Sequence, residues 1–344
     1  MTDTDLTRRF DAARDTEDPL GARLAAARGA AALFDDDDAV EIAGRYRLLH
    51  PLGSGGSGLV YAAHDRQLGR EVAIKELHEG ADAAATARFV REALLTASLQ
   101  HPNIVPVYDA GRWPSGEPFF AMKLVDGRPL SAVIAEATTL EARLALLPHV
   151  LDCAEAVAFA HAQGVIHRDL KPANVLVGRF GETVVIDWGL AKRRDDRGDE
   201  REPGTAAAPV DPRLAELSAA GSVLGTPAYM APEQARGHDT DARADVYALG
   251  AMLDHLLCGA PPYGGGAWME VLGMVLVGPP TPLRERAPAA PEELVAIVGK
   301  AMARDRALRY RDAAEFAADL RNFQTGRIVG AHRYSWSQRA ARFA

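Results

Sequence analysis

HRDLKPAN, at residues 167–174, is the stretch of this sequence that decides its fold. It places a carboxylate, a lysine and an amide within six positions, at Asp169, Lys171 and Asn174. Thirteen residues after the amide, an apolar segment ends at Asp187 in the motif IDWG. An amide oxygen and a carboxylate at this spacing can hold Mg²⁺ against phosphate oxygens, because hard oxygen ligands suit this cation. The two motifs together predict a site for a phosphorylated ligand and a divalent metal.

A glycine-rich stretch, GSGGSGLV, lies upstream at residues 53–60, between two predicted strands of an antiparallel sheet. Glycine lets backbone N–H groups approach a polyphosphate without obstruction by side chains. A dinucleotide-binding turn needs a helix directly after its glycines, so the strand predicted here argues against that class of site. For this motif alone, a flexible hairpin without a ligand is the alternative.

A lysine closes the next predicted strand, in the motif VAIK that ends at Lys75. A cation at the end of an apolar strand is costly to bury without an anionic partner. Glu92, on the helix predicted over residues 86–99, is the candidate partner. The alternative is a lysine at the strand edge whose ammonium group reaches solvent.

Further motifs follow HRDLKPAN in the mainly helical second half of the sequence. GTPAYMAPEQ occupies residues 225–234, DVYALG begins at Asp245, and Arg309 lies in ALRYRDAAEF. Apolar periodicity also predicts a long helix over residues 140–163, which ends at Gly164, a residue type favoured just after a helix. These motifs therefore lie on or between predicted helices.

Five of these motifs follow one another along the chain as GSGGSGLV, VAIK, HRDLKPAN, IDWG and GTPAYMAPEQ. Their order and spacing resemble those of eukaryotic-type (Hanks-type) bacterial serine/threonine protein kinases, over residues 46–323. The resemblance implies an α+β, bilobal protein-kinase fold, with a β-rich N-lobe (46–125) that has one main helix and a mostly helical C-lobe (126–323). It implies ATP and Mg²⁺ (or Mn²⁺) as cofactors. The implied reaction transfers the γ-phosphoryl group to Ser/Thr hydroxyls of protein substrates, with autophosphorylation in a signalling role.

The resemblance also implies an ATP site. Its glycine-rich loop covers the phosphates with Gly53, Ser54, Gly55, Gly56, Ser57 and Gly58. Lys75 binds the α- and β-phosphates and pairs with Glu92. Around the adenine, the implied contacts are Val60 and Ala73 from above, Leu176 from below, Met122 at the pocket behind the ring, and the hinge backbone of Lys123 and Val125.

For catalysis, the resemblance implies that Asp169 orients the substrate hydroxyl and accepts its proton, while Lys171 neutralises charge near the transferred group. Asn174 and Asp187 hold Mg²⁺. Lys171 together with Thr226 is the pattern of serine/threonine kinases rather than tyrosine kinases, and Arg309 matches the arginine that pairs with Glu233.

Arg168, before the catalytic aspartate, implies a switch by phosphorylation of the activation loop, because an added phosphate can pair with arginine. The acceptors are Ser218 and, second, Ser222. The alternative is that Arg168 makes only a local structural contact and the enzyme is always active.

Two features depart from the family pattern. Trp188 replaces the usual phenylalanine of the magnesium motif, and we expect its larger ring to fill an apolar slot beside His167. An apparent insertion at residues 193–216 lengthens the segment from Asp187 to Glu233.

Composition sets further limits on this chain of 344 residues. The net charge of −8 argues against nucleic acid as a partner, and the two cysteines suggest neither a zinc site nor a disulfide framework. We expect no membrane span, because we identify no apolar run of about 18 residues in the sequence. Residues 1–45 are expected to be a mobile extension and residues 324–344 a basic, aromatic tail. We expect the protein to be cytoplasmic, with membrane tethering if the chain is part of a longer protein. The sequence leaves open whether two copies associate for autophosphorylation.

Two other functions remain to be weighed. A pseudokinase scaffold would normally lack Lys75, Asp169 or Asp187, and all three are present. A small-molecule phosphotransferase of related fold would lack the APE segment, which is present at residues 231–233.

Overall fold

The computed structural model describes residues 41–42, 45–55, 58–78, 80–193 and 227–335. The chain divides into two compact units, Met1–Asp126 and Gly127–Ala344. Almost all of the expected N-terminal extension, and the 193–216 insertion beyond Arg193, lie outside the described residues. The domain bounds 46–323 therefore stay a prediction.

The first unit is built on a six-stranded antiparallel sheet in the order β1-β2-β3-β4-β6-β5. Its elements are β1 (Glu41–Ile42), β2 (Tyr46–Gly55), β3 (Gly58–Asp65), β4 (Arg70–Glu76), α1 (Ala83–Ser98), β5 (Val107–Arg112) and β6 (Pro118–Lys123). Asp82 caps the start of helix α1, where its carboxylate accepts from Ala85 N. The helix begins three residues earlier than predicted.

Each face of this sheet has its own apolar core, because successive strand residues point to opposite sides. Val72 and Ile74 of β4 pack with Trp113 on one face. Phe120 packs with Phe89 and Ala93 of α1 on the other. The single helix thus covers one face and fixes the position of Glu92 relative to β4.

The glycine-rich stretch forms the hairpin between β2 and β3, with Gly53 opposite Val60 and Gly55 opposite Gly58. Gly58 has φ 145°, and a Cβ there would lie 2.0 Å from the carbonyl oxygen of Glu76. Only glycine fits at this position. The strand–hairpin–strand context is the one that the sequence predicts.

The second unit is mainly helical, with one three-stranded and one two-stranded sheet of short strands beside residues 167–174. Its helices are α2 (Leu130–Glu136), α3 (Leu140–Leu144), α4 (Leu147–Ala162), α5 (Pro232–Ala235), α6 (Ala242–Cys258), α7 (Trp268–Val277), α8 (Leu283–Arg286), α9 (Glu292–Ala301) and α10 (Ala313–Gln324). Its strands are β7 (Gly127–Pro129), β8 (Val165–Ile166), β9 (Val175–Gly178), β10 (Thr183–Val185) and β11 (Lys192–Arg193). Helix α6 is buried along nearly its whole length and packs against α4, α9 and α10.

The predicted long helix over residues 140–163 is interrupted. It forms α3 and α4, with Pro148 in the first turn of α4, where proline is tolerated because its missing N–H needs no partner. The predicted end is observed, since Gly164 has φ 74°.

One described segment, Leu140–Ala162, is long and apolar enough to cross a membrane by length and composition alone. Our expectation that no run reaches this length is wrong for this segment. Its α4 portion packs against α6 and α10, and core helices of soluble proteins meet the same criterion. The segment is therefore weak evidence for a membrane span.

Candidate active site

Lys75 and Glu92 meet in the first unit as a buried ion pair. Lys75 Nζ lies 2.5 Å from Glu92 Oε1, and the two side chains are only 8% and 4% exposed. Strand β4 supplies the lysine and α1 the glutamate, and the packing of α1 on Phe120 brings the two together. Attraction between the two charges is strong where water is excluded, so this pair holds the ammonium group in one place.

The predicted nucleotide contacts of the first unit lie on the same strands. Ala73 is buried and faces Met122 in the β4–β6 pairing, while Val60 faces Lys75 across β3 and β4. Lys123 ends β6, where its N–H donates to Pro106 O. Val125 follows at the end of the unit, and Gly53, Ser54 and Gly55 belong to the hairpin. Gly56 and Ser57 lie outside the described residues.

Asp169 lies in the loop between β8 and β9 of the second unit, in contact with two predicted site residues. Lys171 Nζ donates to Asp169 Oδ2 at 2.7 Å. Asn174 Nδ2 donates to the backbone oxygen of Asp169 at 2.9 Å and to its Oδ2 at 3.3 Å. The structure therefore brings the predicted acid, lysine and amide into one hydrogen-bonded group.

Burial raises the pKa of Asp169 because it disfavours the carboxylate, and the charge of Asp187 acts in the same direction. The ammonium group of Lys171 opposes this shift and lowers the pKa. A carboxylate in such surroundings accepts a proton more readily than an exposed one.

Asp187 follows β10 with a left-handed φ of 64° and accepts from Gly189 N at 3.3 Å. Ile186 N donates to Asn174 O at 2.9 Å, so the residue directly before Asp187 is hydrogen-bonded to Asn174. The amide nitrogen of Asn174 faces Asp169, which leaves its oxygen as the metal-binding atom. This oxygen and the Asp187 carboxylate are hard oxygen ligands, which suit Mg²⁺. Phosphate oxygens and water would complete the coordination shell of the metal.

Leu176 lies at the centre of β9, opposite both Pro129 of β7 and Val184 of β10. Trp188 lies beside His167, as expected, with ring centroids 4.5 Å apart and only 1% of the tryptophan exposed. Burial lowers the pKa of His167, so this ring is neutral.

Asp245 anchors the backbone of the catalytic loop from helix α6. Its carboxylate accepts from His167 N at 2.8 Å, from Arg168 N at 2.9 Å and from His161 Nε2 at 2.8 Å. Although burial opposes it, the hydrogen bond from His161 holds the pKa of Asp245 below its usual range. In the sequence, Asp245 stands out only as part of DVYALG, where the available signal is a carboxylate between the apolar residues Ala244 and Val246.

Glu233 and Arg309 form the second buried ion pair, with two parallel hydrogen bonds of 2.7 and 2.8 Å. Arg309 also donates to the carbonyl oxygens of Ala303 and Arg243. This bidentate pairing, expected from the sequence, fixes helix α5 within the second unit. Ser218, Ser222 and Thr226 lie outside the described residues.

The protein kinase domain family matches residues 46–315, and the chain belongs to this family. The chain is 39% identical over 260 residues to the DNA damage-responsive serine/threonine-protein kinase RqkA of Deinococcus radiodurans, covering 75% of this chain and 36% of that protein. It is 36% identical over 292 residues to the serine/threonine-protein kinase PknB of Mycolicibacterium smegmatis, covering 83% of this chain and 44% of that protein. The chain thus spans less than half the length of these curated relatives.

Among solved structures, the Mycobacterium tuberculosis PknI kinase domain is similar, with a TM-score of 0.60 and 28% identity over 83% of this chain and 98% of that one. The twitchin kinase region from C. elegans has a TM-score of 0.64 at 20% identity, covering 80% of this chain and 45% of that one, and supports the fold alone. The predicted resemblance to bacterial serine/threonine kinases and the α+β bilobal kinase fold are confirmed.

Proposed function

We propose that this chain transfers the γ-phosphoryl group of ATP to serine and threonine hydroxyls of protein substrates. The observation that carries the proposal is the group formed by Asp169, Lys171 and Asn174, whose hydrogen bonds join an acid, a cation and a metal-binding amide. Phosphoryl transfer needs little covalent help from a protein and depends on positioning and charge, which this group supplies.

Each residue then has a defined role in the transfer. Asp169 accepts a hydrogen bond from the substrate hydroxyl and takes its proton as the hydroxyl attacks. Lys171, already 2.7 Å from Asp169, lies where it can neutralise charge on the transferred group. Lys75, held by Glu92, binds the α- and β-phosphates. Mg²⁺ held by Asn174 and Asp187 would neutralise charge on the phosphate oxygens.

The remaining residues orient the nucleotide. Main-chain N–H groups of the hairpin, from Gly53 to Gly58, cover the phosphates, where glycine allows close approach. Val60, Ala73 and Leu176 enclose the adenine, Met122 limits the pocket behind it, and the backbone of Lys123 and Val125 binds its edge. These assignments follow from the resemblance to the family.

A direct test compares wild type with D169N on a generic protein substrate and labelled ATP. We expect D169N to lose several orders of magnitude in rate, since it removes the proton acceptor but keeps the side-chain shape. D239N changes an exposed carboxylate in the same way and should retain wild-type activity. If wild type labels no protein and phosphorylates no serine or threonine of its own, the proposed function is wrong.

Nucleotide binding separates an enzyme from a pseudokinase scaffold. Calorimetry should show ATP affinity that rises with Mg²⁺, and with Mn²⁺, because Asn174 and Asp187 bind nucleotide only through a cation. Equal affinity with and without the metal would favour the scaffold. Labelling of a small molecule but of no protein would favour a small-molecule phosphotransferase.

The regulatory proposal concerns Arg168, with Ser218 and Ser222 as candidate phosphate acceptors and Thr226 as the residue typical of serine/threonine kinases. After incubation with ATP, mass spectrometry should find phosphate on Ser218 or Ser222, and phosphatase treatment should lower activity. If S218A and S222A both match wild type and phosphatase changes nothing, Arg168 is structural.

The cellular setting follows from the substrates. We propose activity in the cytoplasm, where ATP and protein substrates are present, with tethering to the membrane if the chain is part of a longer protein. We propose that two copies associate when one phosphorylates the other. A rate of autophosphorylation per molecule that rises with protein concentration supports this, and a constant rate contradicts it.

A further inference from the structure

Arg168, the residue before Asp169, has a backbone conformation that residues with a side chain seldom adopt. Its φ is 70°, in the left-handed region, where the Cβ atom crowds the following carbonyl oxygen. Such a conformation persists only where the surrounding structure holds the adjacent peptide groups. The groups that hold Arg168 therefore determine where Asp169 lies.

Two side chains hold the peptide groups of Arg168, one at its nitrogen and one at its oxygen. Asp245 Oδ1 accepts from Arg168 N at 2.9 Å. Gln234 Nε2 donates to Arg168 O at 2.6 Å. That oxygen belongs to the same peptide unit as the N–H of Asp169, which donates to His167 Nδ1 at 3.3 Å. The bond from Gln234 thus helps to fix the orientation of the peptide unit that leads into Asp169.

The position of Gln234 is itself fixed by its neighbours. It lies on α5 directly after Glu233, whose carboxylate is held by both terminal nitrogens of the buried Arg309. Its side chain lines a small cavity together with Arg168, Asp169 and Lys171. A rigid helix therefore presents the amide of Gln234 to the catalytic loop.

We propose that Gln234 is a positioning residue for phosphoryl transfer, because its amide N–H holds the Arg168 carbonyl and so sets the orientation of the Asp169 carboxylate. The proposal rests on the proposed function and deepens it. Gln234 touches no reacting atom and acts through the peptide between Arg168 and Asp169. Through this bond, the ion pair that fixes α5 is also linked to the proton acceptor.

The first test is the variant Q234M, which keeps the length and volume of the side chain but has no donor. Loss of one hydrogen bond should lower kcat by about threefold to tenfold, with the KM for ATP within about twofold of wild type. R236M is the matched control, because Arg236 caps the same helix and is exposed, and its side chain donates to Leu276 O at 3.3 Å, away from the catalytic loop. R236M should keep the wild-type kcat, and a Q234M variant with wild-type kcat would overturn the proposal.

The second test uses two backgrounds that both remove the Arg168 side chain. R168A retains a Cβ atom and its cost at positive φ, whereas R168G adopts positive φ freely. Adding Q234M should lower kcat about threefold to tenfold in R168A and by less than about twofold in R168G. Equal losses in the two backgrounds would mean that Gln234 does not act by holding this conformation.

The third test does not depend on activity. In a crystal structure of Q234M, we expect Arg168 to leave the left-handed region or its carbonyl to rotate away from α5. If Arg168 keeps its φ and its carbonyl direction, the positioning role is overturned. If wild type itself transfers no phosphate while the Arg168 backbone moves in Q234M, the proposed function fails and the structural role of the bond stands.

Discussion

Lys75 and Glu92 form an ion pair from which water is nearly excluded. Their side chains are 8% and 4% exposed, and their charged atoms lie 2.5 Å apart. Two buried charges stabilise a fold only as a pair, because each alone has lost its hydration. The lysine therefore matters for stability as well as for nucleotide binding.

We expect K75M to abolish detectable phosphoryl transfer and also to destabilise the protein by about 3–5 kcal/mol, since the buried Glu92 carboxylate loses the ammonium group of Lys75. The double variant K75M/E92L removes both charges and should recover most of the lost stability but none of the activity. Urea unfolding followed by fluorescence measures the difference. A K75M protein as stable as wild type would show that the Glu92 charge is compensated elsewhere.

His255 of α6 gives a second expectation at the residue scale, this time for pH. Burial lowers its pKa to about 4, and the charge of Arg286 acts in the same direction. Because the unfolded histidine has a pKa of about 6.5, the unfolded chain binds more protons below that pH. The free energy of unfolding should therefore fall as pH falls from about 6.5 to about 4, by on the order of 3 kcal/mol from this group.

The variant H255N tests this, because asparagine does not titrate and still offers an acceptor to the Tyr229 hydroxyl, which lies 2.6 Å from His255 Nδ1. We expect H255N to lose less stability than wild type between pH 7 and pH 5. Burial raises the pKa of the neighbouring Asp254 to about 6, so that group contributes the opposite slope in both proteins. Identical slopes for wild type and H255N would contradict the assignment.

At the scale of elements, one ion pair joins α5 to the segment before α10. Arg309 is fully buried in its bidentate pair with Glu233, whose side chain is 11% exposed. A pair with the same bidentate geometry, Arg284 with Glu292, lies on the surface with side chains 63% and 52% exposed. The two pairs share this geometry and differ in burial, and the buried Arg309 also donates to the carbonyl oxygens of Ala303 and Arg243.

We expect R309M to destabilise the protein by about 3–5 kcal/mol, because the Glu233 carboxylate loses its partner in a buried site. R284M should cost less than about 1 kcal/mol, since water replaces the lost contact at the surface. Thermal unfolding of the two variants beside wild type measures both. Equal losses would show that burial does not decide the strength of these pairs.

At the scale of the whole molecule, the residues after α10 are attached to the second unit. Asp319 Oδ1 accepts from Gly330 N at 2.6 Å, and its Oδ2 accepts from Ala331 N and Tyr310 Oη at 2.9 Å each. Val329 is fully buried. The first part of the segment predicted as a separate tail is thus packed against α10.

We expect D319N to lower the free energy of unfolding by about 2–3 kcal/mol, because an amide nitrogen would face backbone donors where a charged acceptor stood. Hydrogen exchange at Gly330 and Ala331 should become faster. D239N, which neutralises an exposed carboxylate, serves as the control and should leave both quantities unchanged. Unchanged exchange in D319N would show that Val329 alone holds the segment.

The sequence by itself determined the fold class and the residues of the proposed site. HRDLKPAN, IDWG and VAIK hold their functional side chains at fixed positions in short motifs, so the chemistry of the proposed site can be predicted from local sequence. The pairing of Lys75 with Glu92, and of Arg309 with Glu233, followed from the family resemblance. The order and spacing of residues along the chain were enough for these conclusions.

Only the tertiary structure decided which distant groups support these motifs. Gln234 lies 66 positions along the chain from Arg168, to whose carbonyl oxygen it donates a hydrogen bond. Asp245 lies 77 positions from Arg168 and accepts a hydrogen bond from its N–H. The break between α3 and α4 and the attachment of Val329 were likewise not visible in the sequence. Apolar periodicity specifies which face of an element is buried, but the partner of a buried polar group is chosen when elements pack, because only packing brings residues so far apart in sequence within hydrogen-bonding distance.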